Sequence, residues 1–293
     1  MEQLTSVASW RAFAREARDR GATVGLVPTM GALHEGHVSL MERAQRDCDV
    51  VIVTVFVNPR QFNDPEDLRR YPRPLSDDLA RCAALGIDAV ATPSTEEMWP
   101  AYPGTTATTI SVSGLSDDFE GAGRPGHFDG VASVVAKLFT ITGPCVAYFG
   151  EKDFQQLAVV RQMVTDLAFD VTVIGCSIVR ESSGLALSSR NVRLSEAGRR
   201  AATGFSRALR LVNDGTSRDA DAVRREARAV LDDAGIDVAY VDVVEPATLR
   251  RRRADEEGES RLLLAGFVDG VRLLDNGTVR VHAAKGATNV VGH

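Results

Sequence analysis

The sequence predicts an α/β protein: a doubly wound parallel sheet with helices on both faces, followed by a second, smaller α+β domain. Three observations carry this expectation. Short β-branched apolar runs alternate with helix-period segments over the first part of the chain, and that alternation is the pattern of a parallel sheet. Beyond about residue 180 the texture changes to two helical segments followed by a group of strands. The 293 residues also suit two domains at roughly 100 to 200 residues each. The expected boundaries are 1–178 and 179–293.

"TVGLV" (23–27) reads as the first buried strand, and "PTMGAL" after it as a tight turn opening the helix "HEGHVSLMERA". "VVIVTVF" (50–56) and "DAVAT" (88–92) are the next strands, separated by "SDDLARCAALG" (76–86), which reads as a helix with a serine cap, early acids and a stop at Gly86. Val131, Val134, Val135, Leu138 and Phe139 recur at helical spacing, and "CVAYFG" (145–150) and "DVTVIGCSIV" (170–179) complete the strand set. Behind the boundary, helices near 195–213 and 219–234 precede "VAYVDVV", "RLLLAGFV" and "VRLLDN", which read as an antiparallel group. "RRRRADEEGE" (250–259) falls between strands, and its immediate acidic compensation marks a solvated loop.

A net charge of −6, with 44% hydrophobic and 25% charged residues, argues against a partner bound through nucleic-acid phosphates and favours small-molecule chemistry. No apolar run approaches the ~20 residues of a membrane helix. The charged amino terminus lacks a leader's apolar region, so a cytoplasmic address is expected. Cys48, Cys82, Cys145 and Cys176 form no C-x-x-C pair and read as reduced packing residues. "GAGRPG" (121–126) matches a dinucleotide fingerprint in letters only. "SDDFE" precedes it instead of a strand and no acid follows at the required distance, so a flexible loop is expected there.

"HEGH" sets His34 and His37 one helical turn apart. Metal ligation, phosphate binding and simple capping all remain open for such a pair, although the spacing is not that of H-E-x-x-H. Position favours phosphate. The pair follows a strand end at a helix start, where amides and the helix dipole favour anions, and Gly36 between them leaves room for a flat base or ribose. "FGEKDFQQL" (149–157) brings Gly150, Lys152, Asp153 and Gln156 to another strand end. With three lysines against 31 arginines in the chain, a lysine there is informative. "GLALSSRN" (184–191) supplies hydroxyls and a guanidinium at the expected domain junction, so the three clusters would line one crevice with a mobile loop over it.

The segments "VPTMGALHEGH", "FVNPRQF", "YPRPLSDDLA", "GRPGHFDGV", "FGEKDFQQL", "VRESSGLALSSRN" and "RLLDN", in this order from about residue 23 to 276, resemble the pantothenate synthetases, the pantoate and beta-alanine ligases. That family is allied to class I aminoacyl-tRNA synthetases with a Rossmann-like fold; "HEGH" resembles their HIGH signature and "LSSRN" their mobile KMSKS loop. The resemblance implies that pantoate's carboxylate attacks the α-phosphorus of ATP, expelling pyrophosphate. The amine of beta-alanine then attacks the pantoyl adenylate and releases AMP.

It further implies nucleotide contacts along Met30, Gly31, Ala32, Leu33, His34, Glu35, Gly36 and His37, with His37 as proton donor to the leaving group and the Met30 amide facing the reacting carboxylate. Gly150 and Asp153 would border the ribose, Lys152 the phosphates and Val179 the adenine; Ser188, Ser189 and Arg190 would clamp the triphosphate, with Glu151 and Leu187 among the other nucleotide contacts. Pro28, Thr29, Met30, Asn58, Gln61, Tyr71 and Gln156 would form the pantoate pocket, with Gln61 also near beta-alanine. Catalysis is then assigned to His34, His37, Lys152, Ser188, Ser189 and Arg190. Mg2+ is implied with ATP, with Asp77 and Asp78 as candidate ligands that are equally ordinary first-turn acids, and a homodimer through the N-terminal domain is implied too. Leu187, Phe154 and Arg60 stand where the family usually has methionine, tyrosine and methionine, and Arg60 is expected to face solvent. The rival readings are a related transferase acting on a phosphorylated substrate, which two glutamines suit poorly, and a catalytically silent nucleotide binder.

Overall fold

The computed structural model describes residues 1–104 and 107–284. The chain divides into two compact units, Met1–Val179 and Arg180–His293. In the first, β1 (Glu2–Leu4) leads through α1 (Val7–Asp19) to β2 (Val24–Thr29), α2 (Glu35–Asp47) and β3 (Val50–Val55). A 3-10 turn at Pro59–Gln61 and α3 (Pro65–Arg70) precede α4 (Leu75–Ala84) and β4 (Ala89–Ala91). There follow α5 (Thr95–Met98), α6 (Glu120–Gly123), α7 (His127–Thr142), β5 (Cys145–Gly150), a turn at Glu151–Asp153, α8 (Phe154–Asp166) and β6 (Val171–Cys176).

All six strands are parallel, in the order β1-β4-β3-β2-β5-β6. Side chains alternate across a strand, so each β-branched run feeds two cores. Leu26, Ile52, Ala147 and Phe149 pack with Trp10 and Ala14 of α1, α7 and α8. Val27, Val51, Val53 and Tyr148 pack with Leu40, Met41 and Ala44 of α2 and with Cys82 of α4. Burial on both faces explains why these strands read as continuous apolar runs.

The chain reverses its progress across the sheet between β2 and β5. β2 pairs with β3 along its whole length but with β5 only through Gly25 and Leu26, opposite Val146 and Ala147. Beyond those pairs the ladder ends, which leaves a crevice at the carboxyl ends of β2 and β5. A ligand site in an open α/β sheet forms at such a switch point.

Two local expectations are corrected. Ser76 is not a cap: the cap position of α4 lies two residues earlier, at Pro74, without a side-chain cap, and Asp77 and Asp78 fill the first turn. The charged amino-terminal segment forms an amphipathic helix, α1, capped by Ser6. "GAGRPG" is not a flexible loop but a helical turn and a left-handed Gly126 (φ 76°) that starts α7.

In the second unit a 3-10 turn at Asn191–Arg193 precedes α9 (Glu196–Leu211), α10 (Ala220–Asp233) and three antiparallel strands, β7 (Asp237–Val244), β8 (Gly258–Val268) and β9 (Val271–Val281), in the order β7-β8-β9. Phe205, Leu209, Val223 and Leu231 of the helices pack on Val243, Leu262, Leu264 and Leu273. The arginine-rich loop is compensated as expected: Arg250 pairs with Glu245 and Glu256, Arg251 with Asp242, and Arg253 with Asp255. Among the described residues no helix is long and apolar enough to cross a membrane. All four cysteines are free thiols.

Candidate active site

The turn from β2 to α2 is shaped by a distant carboxylate. Asp78, buried at the start of α4, accepts the amides of Ala32 (2.9 Å) and Leu33 (2.8 Å). Gly31 (φ 77°) and Ala32 (φ 50°) are both left-handed, and a side chain on Gly31 would meet the Asp78 carboxylate at 2.8 Å. Thr29, buried, donates its hydroxyl to Thr54 O and accepts the Gly31 amide, which ties the turn to β3. The Met30 amide has no partner among the described residues and lies at the open end of β2.

His34 is the cap residue of α2. Its Nδ1 accepts the Gly36 amide (3.1 Å) while His37 Nδ1 accepts the His34 amide (3.3 Å), a reciprocal capping box made by two imidazoles whose ring centres lie 4.1 Å apart. Because each Nδ1 receives an obligate N–H donor, each neutral ring carries its proton on Nε2. Burial, then the Lys152 and Arg81 charges, hold the His34 imidazole down at about 4. Burial, then His34 and Lys152, hold His37 at about 3. One correction follows. The amides of Ala32, Leu33, His34 and Gly36 are already spent, so this turn offers phosphate no array of free amides. The two rings themselves stand as neutral Nε2–H hydrogen-bond donors.

Lys152, in the turn after β5, acts electrostatically on both rings, so the structure brings these three side chains together at the switch point. Its ammonium lies 3.8 Å from Asp153, and Glu151 shares the same turn. Gly150 ends β5 with open space where a side chain would be. Val179 lies three residues past β6, the strand paired with β5. The Glu35 carboxylate pairs with Arg81 (2.8 Å).

The substrate residues cluster around the Pro59–Gln61 turn. Trp99 Nε1 and the Arg60 amide, both obligate donors, fix the Asn58 carbonyl end (3.0 and 3.3 Å). Asn58 Nδ2 must then donate, and does so to Gly130 O (3.1 Å) and Gln61 Oε1 (3.0 Å). Asn58 is thus spent on structure, and the Gln61 side chain is oriented with its Oε1 on Asn58 and its NH2 group uncommitted to that contact. His127 Nδ1 (2.8 Å) and Arg124 hold the Gln61 carbonyl, and any side chain on Gly130 would strike the Arg60 carbonyl at 2.2 Å. Gln155 is likewise committed, to Glu120, Leu115 and Asp118, while the amide of Gln156 has no partner among the described residues. Tyr71 is buried edge-on against Phe62. Pro28 lies within β2 opposite Thr54.

Arg60 does not simply face solvent. Its guanidinium stacks 4.6 Å from the Trp99 ring centre and donates to Thr109 (3.0 Å), with Nη1 buried. Leu187, Ser188, Ser189 and Arg190 belong to the second unit, where Ser188 Oγ accepts the Arg190 amide (3.3 Å). Trp99, Arg124 and His127 are positioning residues that the sequence reading did not assign, and Asp78, named there only as a candidate magnesium ligand or first-turn acid, is a fourth. "GRPGHFDGV" was the available signal for two of them.

Three histidines, His127 buried and His34 and His37 half-buried, make stability depend on pH. His127 is also held at about 4, by burial and then the Arg124 charge. An unfolded histidine takes up its proton near pH 6.5, while these folded ones resist until about pH 4 or below, so the unfolded state binds more protons in between. Stability is therefore expected to be fully present above pH 6.5. It should fall through the window down to pH 4, by up to about 1 kcal/mol per histidine per pH unit. A thermal midpoint unchanged between pH 7.5 and 4.5 would contradict this.

A parallel doubly wound sheet with a lysine and two imidazole N–H donors at its switch point defines a nucleotide-dependent α/β enzyme. A family model described as Pantoate-beta-alanine ligase matches residues 2–278, and the chain belongs to that family. The pantothenate synthetase of Cereibacter sphaeroides is 52% identical over 276 residues, covering 93% of this chain and 98% of the relative. That of Mycolicibacterium smegmatis is 47% identical, covering 94% and 86%. A crystal structure of pantothenate synthetase from Thermus thermophilus superimposes with a TM-score of 0.86 at 45% identity, covering 94% and 99%. The Francisella tularensis pantoate-beta-alanine ligase, solved in complex with beta-gamma ATP and beta-alanine, superimposes with a TM-score of 0.79 at 34% identity, covering 94% and 97%.

Proposed function

We propose that the chain condenses pantoate with beta-alanine at the expense of ATP, through a pantoyl adenylate, giving pantothenate, AMP and pyrophosphate. The observation that carries the chemistry is Lys152 beside two imidazoles fixed as neutral donors. In the first step a pantoate carboxylate oxygen bonds to the α-phosphorus as the bond to the β-phosphate oxygen breaks. Charge accumulates on the departing pyrophosphate. Lys152, the two Nε2–H groups and the N-terminal end of α2 neutralise that charge, and no side-chain nucleophile is needed.

Gln61, fixed as a donor, and Gln156 would bind pantoate's oxygens, and the free Met30 amide would face its carboxylate. In the second step the amine of beta-alanine attacks the acyl carbon, loses a proton and displaces AMP. Ser188, Ser189 and Arg190 are assigned to the triphosphate, Gly150 and Asp153 to the ribose, and Val179 to the adenine.

ATP would enter as its magnesium complex. Both Asp78 oxygens face backbone amides, and among the described residues no three acidic, histidine or cysteine side chains gather as a cage, so the phosphates and water would hold the ion. A cytoplasmic homodimer follows from the family resemblance, and light scattering would read the dimer directly.

The purified protein is expected to release pyrophosphate only with ATP, magnesium and pantoate together, and AMP in quantity only once beta-alanine is added. Pyrophosphate release indifferent to pantoate would overturn this reading.

A further inference from the structure

The segment that carries Ser188, Ser189 and Arg190 is pinned at both ends to the body of its own unit. At the leading end the Arg180 guanidinium forms a two-pronged pair with the buried Asp275 of β9 (2.6 and 2.8 Å) and also donates to the Gly184 carbonyl (3.1 Å). Arg180 and Ala186 form a backbone bridge, and the Glu181 amide donates to the Leu185 carbonyl (2.8 Å), which closes residues 180–186 into a small hairpin. At the trailing end Arg199 of α9 donates to the Glu181 carboxylate (2.7 Å) and to the Asn191 carbonyl (2.9 Å). Asn191, buried, donates back to the Ala186 carbonyl (3.0 Å) and lies 3.5 Å from the Glu181 carboxylate. The mobile loop expected from sequence is thereby reduced to residues 187–190, strung between two fixed points.

We infer that Arg180 with Asp275, and Glu181 with Arg199 and Asn191, are positioning residues for ATP. They give the 187–190 segment its shape during folding, so that little ordering entropy remains to oppose nucleotide binding. The inference rests on the adenylation reading above. A segment with loosened ends must be ordered by the ligand itself, which weakens ATP binding and slows only the step that handles the triphosphate. The carboxyl–amine step starts from an adenylate that has already lost pyrophosphate, and it has no use for the anchors.

The test compares wild type with Arg199→Met and Asp275→Asn in two half-reactions. One is pyrophosphate release from ATP, magnesium and pantoate; the other is AMP release from supplied pantoyl adenylate and beta-alanine. Both variants are expected to raise the KM for ATP about tenfold or more, while adenylate consumption stays within about twofold. Arg199→Lys, which can still reach Glu181, is expected to recover part of the loss. Tryptic cleavage at Arg190 is expected to speed up in the variants. Arg199 is partly exposed at the surface, so its variants carry the test if Asp275→Asn does not fold. A wild-type KM for ATP in folded variants, or equal slowing of both half-reactions, would overturn the inference while wild-type turnover left the functional reading standing. A wild type that forms no adenylate would overturn both.

Discussion

Lys152→Ala is expected to slow pyrophosphate release by on the order of 10²-fold or more, as loss of a charged contact to developing phosphate charge does. Consumption of supplied pantoyl adenylate should change far less, because the triphosphate is already gone. A second signature separates this from general damage. The Lys152 charge is one cause of the low pKa of both His34 and His37, so its removal moves both imidazole titrations upward. NMR titration of the ring protons reads that shift. His37→Ala is expected to reach a similar loss by a different route, because it removes one Nε2–H donor and also uncaps the His34 amide. A Lys152→Ala protein that adenylates pantoate at the wild-type rate would end the phosphate assignment.

Asp78→Ala is expected to be the most damaging single change outside the groups that touch substrate. It deletes two charge-assisted hydrogen bonds to buried amides, each worth ~1.5 to 3 kcal/mol, and frees a turn in which a non-glycine residue is left-handed. A stability loss of about 2 to 4 kcal/mol and a fall in adenylation of about 10²-fold are expected. Asp78→Asn, which keeps one acceptor, should fall between. The role of anchor makes a distinct forecast about magnesium: raising its concentration leaves the defect unchanged. Rescue by excess magnesium would instead make Asp78 a metal ligand.

Legibility followed the range of the interactions involved. The strands at 23–27, 50–56, 88–92 and 145–150 declared themselves because a sheet buried on both faces demands unbroken apolar, β-branched runs. The helix at "HEGHVSLMERA" was legible for the same kind of local reason. β1 escaped because three residues give no period to read, and α1 because its charges were weighed only as evidence against a leader. The start of α4 was misread because a serine two residues beyond Pro74 looks like a cap, whereas the chain enters the helix at Leu75.

The sequence by itself determined the fold class, the strand ends that carry His34, His37 and Lys152, and the order of motifs that places the chain in its family. Each of these depends on residues near one another in the chain or on a count of segments. The tertiary structure alone decided polarity and commitment. It showed which amides are already taken by Asp78, which imidazole nitrogen carries the proton, which end of the Gln61 amide Asn58 holds, and that Arg60 lies on Trp99. The imidazole tautomers are set by amides two and three residues away, but the other outcomes depend on partners 39 to 72 residues apart, such as Asp78 with Leu33, Trp99 with Asn58 and Gly130 with Asn58, and spacing along a chain carries no record of which donor meets which acceptor.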